Sequence, residues 1–344
     1  MFRQDRTNPS TAVSSWKGRH DTSKAWPSTL VSSWLNGGLF GGAGGGAGYV
    51  AGAYTTGVQI DKFAFPTDVR DTLSATLTVA HSGGAGHSNS GVAGYVAAGL
   101  GTGGSTAITA QDQLLYATDS ISVTTICSST NGAPYFCAGA SNSGVAGYVT
   151  NGAPDYTETV KFNYPTMTLS GILNVFPSPG PYIISACSNE PTAYYVMGGN
   201  VYSGGWSTID TVQKLTYASD TAAAITATLG ATRNSTTGMS DVGVAGYAAG
   251  GHVTSYSADL DTCDKLAYAT ESISYTTVLT ADRAEMAGFA NSGTAGYFAG
   301  GNGAVHKSTV IKYTFPSDTV ADLGTGLSVA ARAAQGFANE SSLA

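Results

Sequence analysis

Apolar residues fall on alternate positions in short runs along most of the chain, and glycine-rich stretches separate the runs. Ile60-Asp-Lys-Phe-Ala-Phe, Val212-Gln-Lys-Leu-Thr-Tyr, Cys263-Asp-Lys-Leu-Ala-Tyr and Ile311-Lys-Tyr-Thr-Phe put apolar residues on alternate positions, Phe63 and Phe65, Leu215 and Tyr217, Leu266 and Tyr268, and Ile311, Tyr313 and Phe315. That is the two-residue period of a half-buried strand. No apolar period of 3.6 residues accompanies it, which excludes a helical solenoid.

Ahead of each run stands a second pattern, rich in Gly and Ala and centred on a tyrosine. GVAGYVAAG around Tyr95 recurs as GVAGYVTNG at Tyr148, GVAGYAAGG at Tyr247 and GTAGYFAGG at Tyr297, with degenerate copies GAGYVAGA at Tyr49 and TAYYVMGG at Tyr195. The six tyrosines are spaced 46, 53, 47, 52 and 50 residues apart, the length of one propeller blade. Each copy divides into four strand-sized segments, A to D. In the last full copy, A runs from Met286 to Ala290, B from Ala295 to Gly300 and C from Thr309 to Phe315, and D begins near Val320. Small residues in A and B against Phe, Leu and Tyr in C match sheets that converge on an axis.

Two turn columns punctuate the repeat. Asn89, Asn142, Asn189, Asp241 and Asn291 stand six residues before their tyrosines. Side chains that tolerate left-handed backbone and bond to their own main chain suit an A-to-B hairpin turn. Asp68, Asp119, Asp220, Glu271 and Asp318 close C into D. The first copy has no strand A, whereas AAQGFANESSLA at the far end matches AEMAGFANSG. Pairing Gln335 to Asn339 with Ala47 to Gly52 would remove two exposed sheet edges. The expectation is therefore an all-β, six-bladed propeller over residues 47–344, closed by pairing of the C-terminal strand with the first blade. Residues 1–46 form an irregular N-terminal arm ending in a glycine-rich hinge.

The paired glycines after the strand-B aromatic, the aromatic strand C and an arginine ahead of strand A (Arg233, Arg283, Arg332) resemble the kelch repeat. More narrowly, VIKYTFPSDTVADLGTGLSVAARAAQGFAN and NSGTAGYFAGG are similar to the Gly/Ala/Tyr-rich kelch-like repeats of virion proteins in marine tailed phages, including those of cyanobacteria. The likeness spans roughly residues 46–344, with His81 or Pro181 at the arginine position elsewhere. It implies a virion location after synthesis in the host cytoplasm, a tail or fibre association, and several copies per particle.

Charge and cysteine content narrow the partners. Of the net −7, the first 46 residues hold +3, from Arg3, Arg6, Lys17, Arg19 and Lys24 against Asp5 and Asp21, so the remainder carries −10. An acidic body excludes nucleic acid as the expected partner. No apolar run of about 18 residues points to membrane insertion, and the first residues lack the apolar stretch of a secretory leader. Cys127, Cys137, Cys187 and Cys263 form no C-x-x-C pair and read as buried thiols.

Candidate chemistry is sparse. GGLFGGAGGGAG lacks the Lys-Ser/Thr ending of a phosphate loop. His81 and His87 occupy blade positions held by Arg233 and Met239, or Arg283 and Phe289, in other copies. Asp259, Asp261 and Asp264 lack the glycine-centred turn of a calcium loop. No facing carboxylate pair of a glycosidase is visible. No catalytic residue, metal or cofactor is therefore expected. The B-to-C loops vary most and carry Tyr54, Tyr156, Tyr202, Trp206, His252, Tyr256 and His306, aromatic groups suited to sugar rings or a partner's pockets. Trp16, Trp26 and Trp34 suit the arm to docking on other virion proteins. Three functions stay open: a non-enzymatic virion structural protein with an outward propeller for protein or host-surface contact, a glycan-binding or glycan-hydrolysing receptor module, and a cellular kelch adaptor.

Overall fold

The computed structural model describes residues 46–340 except 55–56, 66, 131, 151, 154–156, 179 and 254–257. The three tryptophans expected to dock, Trp16, Trp26 and Trp34, lie outside the described residues, as do Tyr156 and Tyr256. Apart from a 3-10 turn at Thr102–Gly104, the regular elements among the described residues are strands.

These strands make six four-stranded antiparallel sheets. Blade 1 contains β1 (Ala47–Ala51), β2 (Ile60–Ala64) and β3 (Val69–Thr72). Blade 2 is β4 (Ala85–Asn89), β5 (Ala93–Ala97), β6 (Ala110–Leu115) and β7 (Ser120–Ile126). Blade 3 is β8 (Ala138–Asn142), β9 (Ala146–Thr150), β10 (Glu158–Asn163) and β11 (Thr168–Asn174). Blade 4 is β12 (Ser185–Asn189), β13 (Ala193–Tyr202), β14 (Trp206–Thr216) and β15 (Thr221–Thr228). Blade 5 is β16 (Thr237–Asp241), β17 (Ala245–Ala249), β18 (Thr262–Ala267) and β19 (Ser272–Val278). Blade 6 is β20 (Ala287–Asn291), β21 (Ala295–Ala299), β22 (Val310–Thr314) and β23 (Thr319–Asp322). The last strand, β24 (Gln335–Asn339), returns to blade 1 and pairs with β1 in the register Ala47↔Asn339 through Ala51↔Gln335. The ring is thus closed by the strand the sequence expects, and two sheet edges are paired that would otherwise template aggregation.

Strand A of each blade lines the axis, and the axis dictates its small residues. A Cβ on Gly139 would lie 1.9 Å from the Gly86 carbonyl oxygen of the preceding blade, and Gly238, Gly288 and Gly336 would each meet a neighbour's carbonyl oxygen at 2.1 Å. Five of the six blades carry glycine at this position, where the backbones converge, and blade 4 carries Ala186, the smallest side chain. Further out, the glycine before each strand-B tyrosine admits the preceding blade's strand-A side chain: Gly48 faces Phe289, Gly147 faces His87 and Gly296 faces Met239. Blade 4 replaces that glycine with Tyr194, and blade 3 presents only Ala140 at the matching position. Both residues lie in one core cluster, so the volumes compensate.

Tyrosines in strand B knit the blades together. Tyr49, Tyr95, Tyr148, Tyr195, Tyr247 and Tyr297 pack on Tyr116, Tyr164, Tyr217, Tyr268, Phe315 and Phe65 of the following blade, with ring centroids 5.1 to 5.5 Å apart. Tyr297 on Phe65 joins blade 6 to blade 1, so the aromatic belt is itself closed. Burying such rings contributes about 1.5–3 kcal/mol each before the stacking geometry is counted.

Two details differ from the sequence expectation. In the A-to-B turns the left-handed backbone falls on glycine (Gly91, Gly144, Gly243 and Gly293, φ 74° to 78°), which frees the Asn/Asp column from that task. Its side chains reach the next blade instead: Asn89 accepts from the Gly144 N–H at 2.8 Å and Asp241 from the Gly293 N–H at 2.7 Å. Arg332 does not occupy the position of Arg233 and Arg283. Carbonyls of His81, Arg233, Arg283 and Ala331 receive equivalent bonds from the B-to-C loops, so Ala331 holds that place and Arg332 lies one residue on. All four cysteines are free and buried. Burial pushes Cys137, Cys187 and Cys263 up to about 12, which keeps them as thiols.

Candidate interaction face

B-to-C and D-to-A loops share one end of the ring, joined by bonds such as Gly251 N–H to the Arg283 carbonyl, 3.0 Å, and Gly301 N–H to the Ala331 carbonyl, 2.7 Å. Beneath them lie buried polar groups. Arg233 meets Asp264 at 3.2 Å, and His81 meets Asp112 at 3.4 Å with its Nδ1 2.7 Å from the Ala98 carbonyl oxygen. Arg283 donates to the Gly300 and Thr309 carbonyl oxygens, each at 3.4 Å. Burial raises the Asp264 carboxyl, partly opposed by the Arg233 charge. These pairs satisfy loop carbonyls from inside the blade, a role that holds the loops in place.

The expected aromatic residues fare differently. Tyr54 lies half-buried under Arg332, whose guanidinium is 4.3 Å from the ring centroid. It serves as a platform within the loop. His252 is only 2% exposed, with Nδ1 2.6 Å from Asp259 Oδ1, because its loop folds back in bridges to Asn234 and Asp259. It is therefore an internal strut rather than a surface contact. His306 is half-buried beside Val305, which is 66% exposed.

Tyr202 and Trp206 are brought together. β13 and β14 extend beyond the common blade length to 10 and 11 residues and carry their hairpin past the ring's other strand ends. At its tip Tyr202 and Trp206 are cross-strand partners, with ring centroids 5.0 Å apart and exposures of 54% and 51%. The turn between them is Ser203-Gly204-Gly205, with Gly204 at φ 75°. Tyr182, from the D-to-A loop, places its ring 4.7 Å from Trp206 and adds to this cluster a residue that the repeat pattern does not single out. A Ser-Gly-Gly turn flanked by aromatics was the available signal for the hairpin; Tyr182 sits on a different loop and carried none.

Such a cluster offers flat apolar faces edged with a phenol and an indole N–H, able to stack on a ring or fill a partner's recess. Among the described residues, no group of three or more His, Cys, Asp or Glu is arranged to hold a metal ion. No helix among them is long and apolar enough to cross a membrane. The fold and this face define a six-bladed β-propeller bearing an aromatic hairpin. No family model matches the chain, and no curated protein is significantly similar to it.

Proposed function

We propose that this propeller is a non-enzymatic structural protein of a tailed-phage particle, associated with its tail or fibres. In this reading residues 1–46 dock on other virion proteins and the loop face is turned outward for contact with a host-surface protein or glycan. Two things support it. The repeats resemble those of phage virion proteins, and the Tyr202–Trp206 hairpin breaks the sixfold pattern with exposed aromatics while the buried charges are consumed in holding loops. The hairpin carries the reading, since recognition on a repeated scaffold resides where the copies differ.

Mass spectrometry of purified particles, with and without residues 1–40, tests it. The intact protein is expected in particles and the truncated one is expected to fold yet be absent from them; equal incorporation of both would remove the docking role. The aromatic cluster also favours a second reading, a glycan-binding module. A glycan array with product analysis separates the two: selective binding lost in Trp206→Ala favours adhesion to sugar, and released sugar would demonstrate an enzyme. A cellular kelch adaptor is a third reading, and absence of the protein from particles would favour it.

A further inference from the structure

The residue directly after each Asn/Asp of the A-to-B turns is Ser90, Ser143, Glu190, Val242, Ser292 or Glu340. At four of the six junctions around the axis, the N–H of one such residue is received by the side chain of the next blade's. Ser90 N–H donates to Ser143 Oγ at 2.8 Å, Ser143 N–H to Glu190 Oε2 at 3.0 Å, Val242 N–H to Ser292 Oγ at 2.8 Å and Glu340 N–H to Ser90 Oγ at 3.1 Å. Glu190 belongs to blade 4 and Glu340 follows the strand that completes blade 1, so the two carboxylates stand on opposite sides of a six-membered ring. Both line the axial cavity, whose volume is about 140 Å³.

Among the described residues, nothing cationic faces them. The cavity lining contains no Lys or Arg. Its histidine, His87, is bonded to Tyr164 at 3.0 Å and Gln111 at 3.4 Å, and burial lowers it to about 4, so it is neutral. Asp241 adds a further negative charge close to Glu340 while accepting from Ser292 Oγ at 3.1 Å and Gly293 N–H at 2.7 Å. Tyr116 near Glu340, and Tyr164 and Tyr217 near Glu190, are phenols pushed up by burial and stay neutral. Glu340 Oε2 is buried with no hydrogen-bond partner among the described residues. An ionised carboxylate so placed is costly, and a second one across the axis raises the cost.

We propose that Glu190 and Glu340 form a pH-sensitive latch on the strand that closes the ring, holding β24 while at least one of them is protonated and loosening it when both are ionised. Glu340 is the residue next to β24, and β24 reaches blade 1 only through non-covalent pairing with β1. Burial pushes Glu190 up to about 7, and burial together with the Glu190 charge pushes Glu340 up to about 8. An acid that holds its proton more tightly in the folded ring than in the unfolded chain contributes stability in full below the ordinary carboxyl range. That stability is lost as pH rises through the folded value, which puts the loss between about pH 5 and about pH 8.

Hydrogen exchange of the full chain at pH 6 and pH 9, with chelator present and intrinsic rates corrected, tests the latch. Opening of β24 is expected to rise at least about tenfold at pH 9, with a much smaller change in β13. Glu340→Gln is expected to remove most of that rise, and Glu190→Gln to do the same should the first variant not fold. Equal β24 protection of the wild type at the two pH values, or an undiminished rise in a folded glutamine variant, would overturn it.

Discussion

Among the described residues, five of the six blade junctions carry an ion pair between strand C and the next blade's C-to-D turn, and the junction between blades 2 and 3 does not. Lys62, Lys161, Lys214, Lys265 and Lys312 extend from strand C to Asp119, Asp220, Glu271, Asp318 and Asp68 of the next blade at 2.5 to 2.8 Å. Each ammonium also lies 5.4 to 5.8 Å from the centroid of its own blade's strand-B tyrosine. Tyr148, Tyr195 and Tyr297 donate their hydroxyls to the same acids, at 3.2, 3.1 and 2.7 Å. The acids sit at φ 50° to 58°, a left-handed site that aspartate tolerates better than most residues. Between blades 2 and 3 both partners change together. Gln113 replaces the lysine and donates to Tyr95 Oη at 3.1 Å, and Met167, at φ 49°, replaces the acid and packs on the cluster of Ala93, Tyr95 and Tyr164. The aromatic stack persists at all six junctions, so the stack is the common fastening and the ion pair an addition to it.

The largest expected effect tests that ranking. Tyr95→Ala and Tyr148→Ala each empty a buried site, 1% exposed in both cases, and each should cost about 3–5 kcal/mol in denaturant unfolding. The two costs should agree within about 1 kcal/mol, because the neighbouring ion pair is partly exposed and screened. If Tyr148→Ala proved far more costly than Tyr95→Ala, the ion pair would be the principal fastening.

A double-mutant cycle at the neutral junction has the next largest effect. Met167→Asp alone places a carboxylate against Tyr95 and Tyr164 without a cation and is expected to destabilise by about 1–3 kcal/mol. Adding Gln113→Lys rebuilds the pattern of the other five junctions, and the pair should show a favourable coupling of about 0.5–1.5 kcal/mol. Strict additivity of the two substitutions would mean that blades 2 and 3 are not spaced for the bond.

Much of the ring was legible because its signals are local or periodic. The count of blades came from Tyr49 through Tyr297, and the closing strand from the likeness of Gln335–Asn339 to β20. Alternation of Ile311, Tyr313 and Phe315 placed strand C. The acid column was legible as the C-to-D turn from its fixed place between the two strand-sized segments. Its second role was missed because Lys312 meets Asp68 across 244 residues. A trace of that role was nonetheless present: the lysine column lapses at Gln113 in blade 2, and the acid column lapses at Met167 in blade 3, the two sides of one junction. At the loop face, Tyr202 and Trp206 were legible from their turn. The burial of His252 and the stacking of Tyr54 under Arg332 depend on how loops fold back, which no local pattern encodes.

The smallest effect separates charged from neutral junctions by pH. Bonds from Lys214 and, less strongly, Tyr195 hold the Glu271 carboxyl below its ordinary value, against a smaller opposing effect of burial. With its folded value depressed, Glu271 binds a proton less readily in the ring than in the unfolded chain. Its contribution is therefore present above the ordinary carboxyl range and is lost as pH falls from that range through the lower folded value. Side-chain exposures of 29% for Lys214 and 34% for Glu271 leave the pair screened, so the contribution is a few tenths of a kcal/mol. Denaturant unfolding of the wild type at pH 6 and pH 3 should show that much more acid loss than Glu271→Gln shows. At the junction of blades 2 and 3 Gln113 and Met167 have nothing to titrate in the acid range, and installing Lys and Asp there should add an acid loss of the same size. Identical acid losses in wild type and Glu271→Gln would mean that this lysine bond adds nothing to the stack beside it.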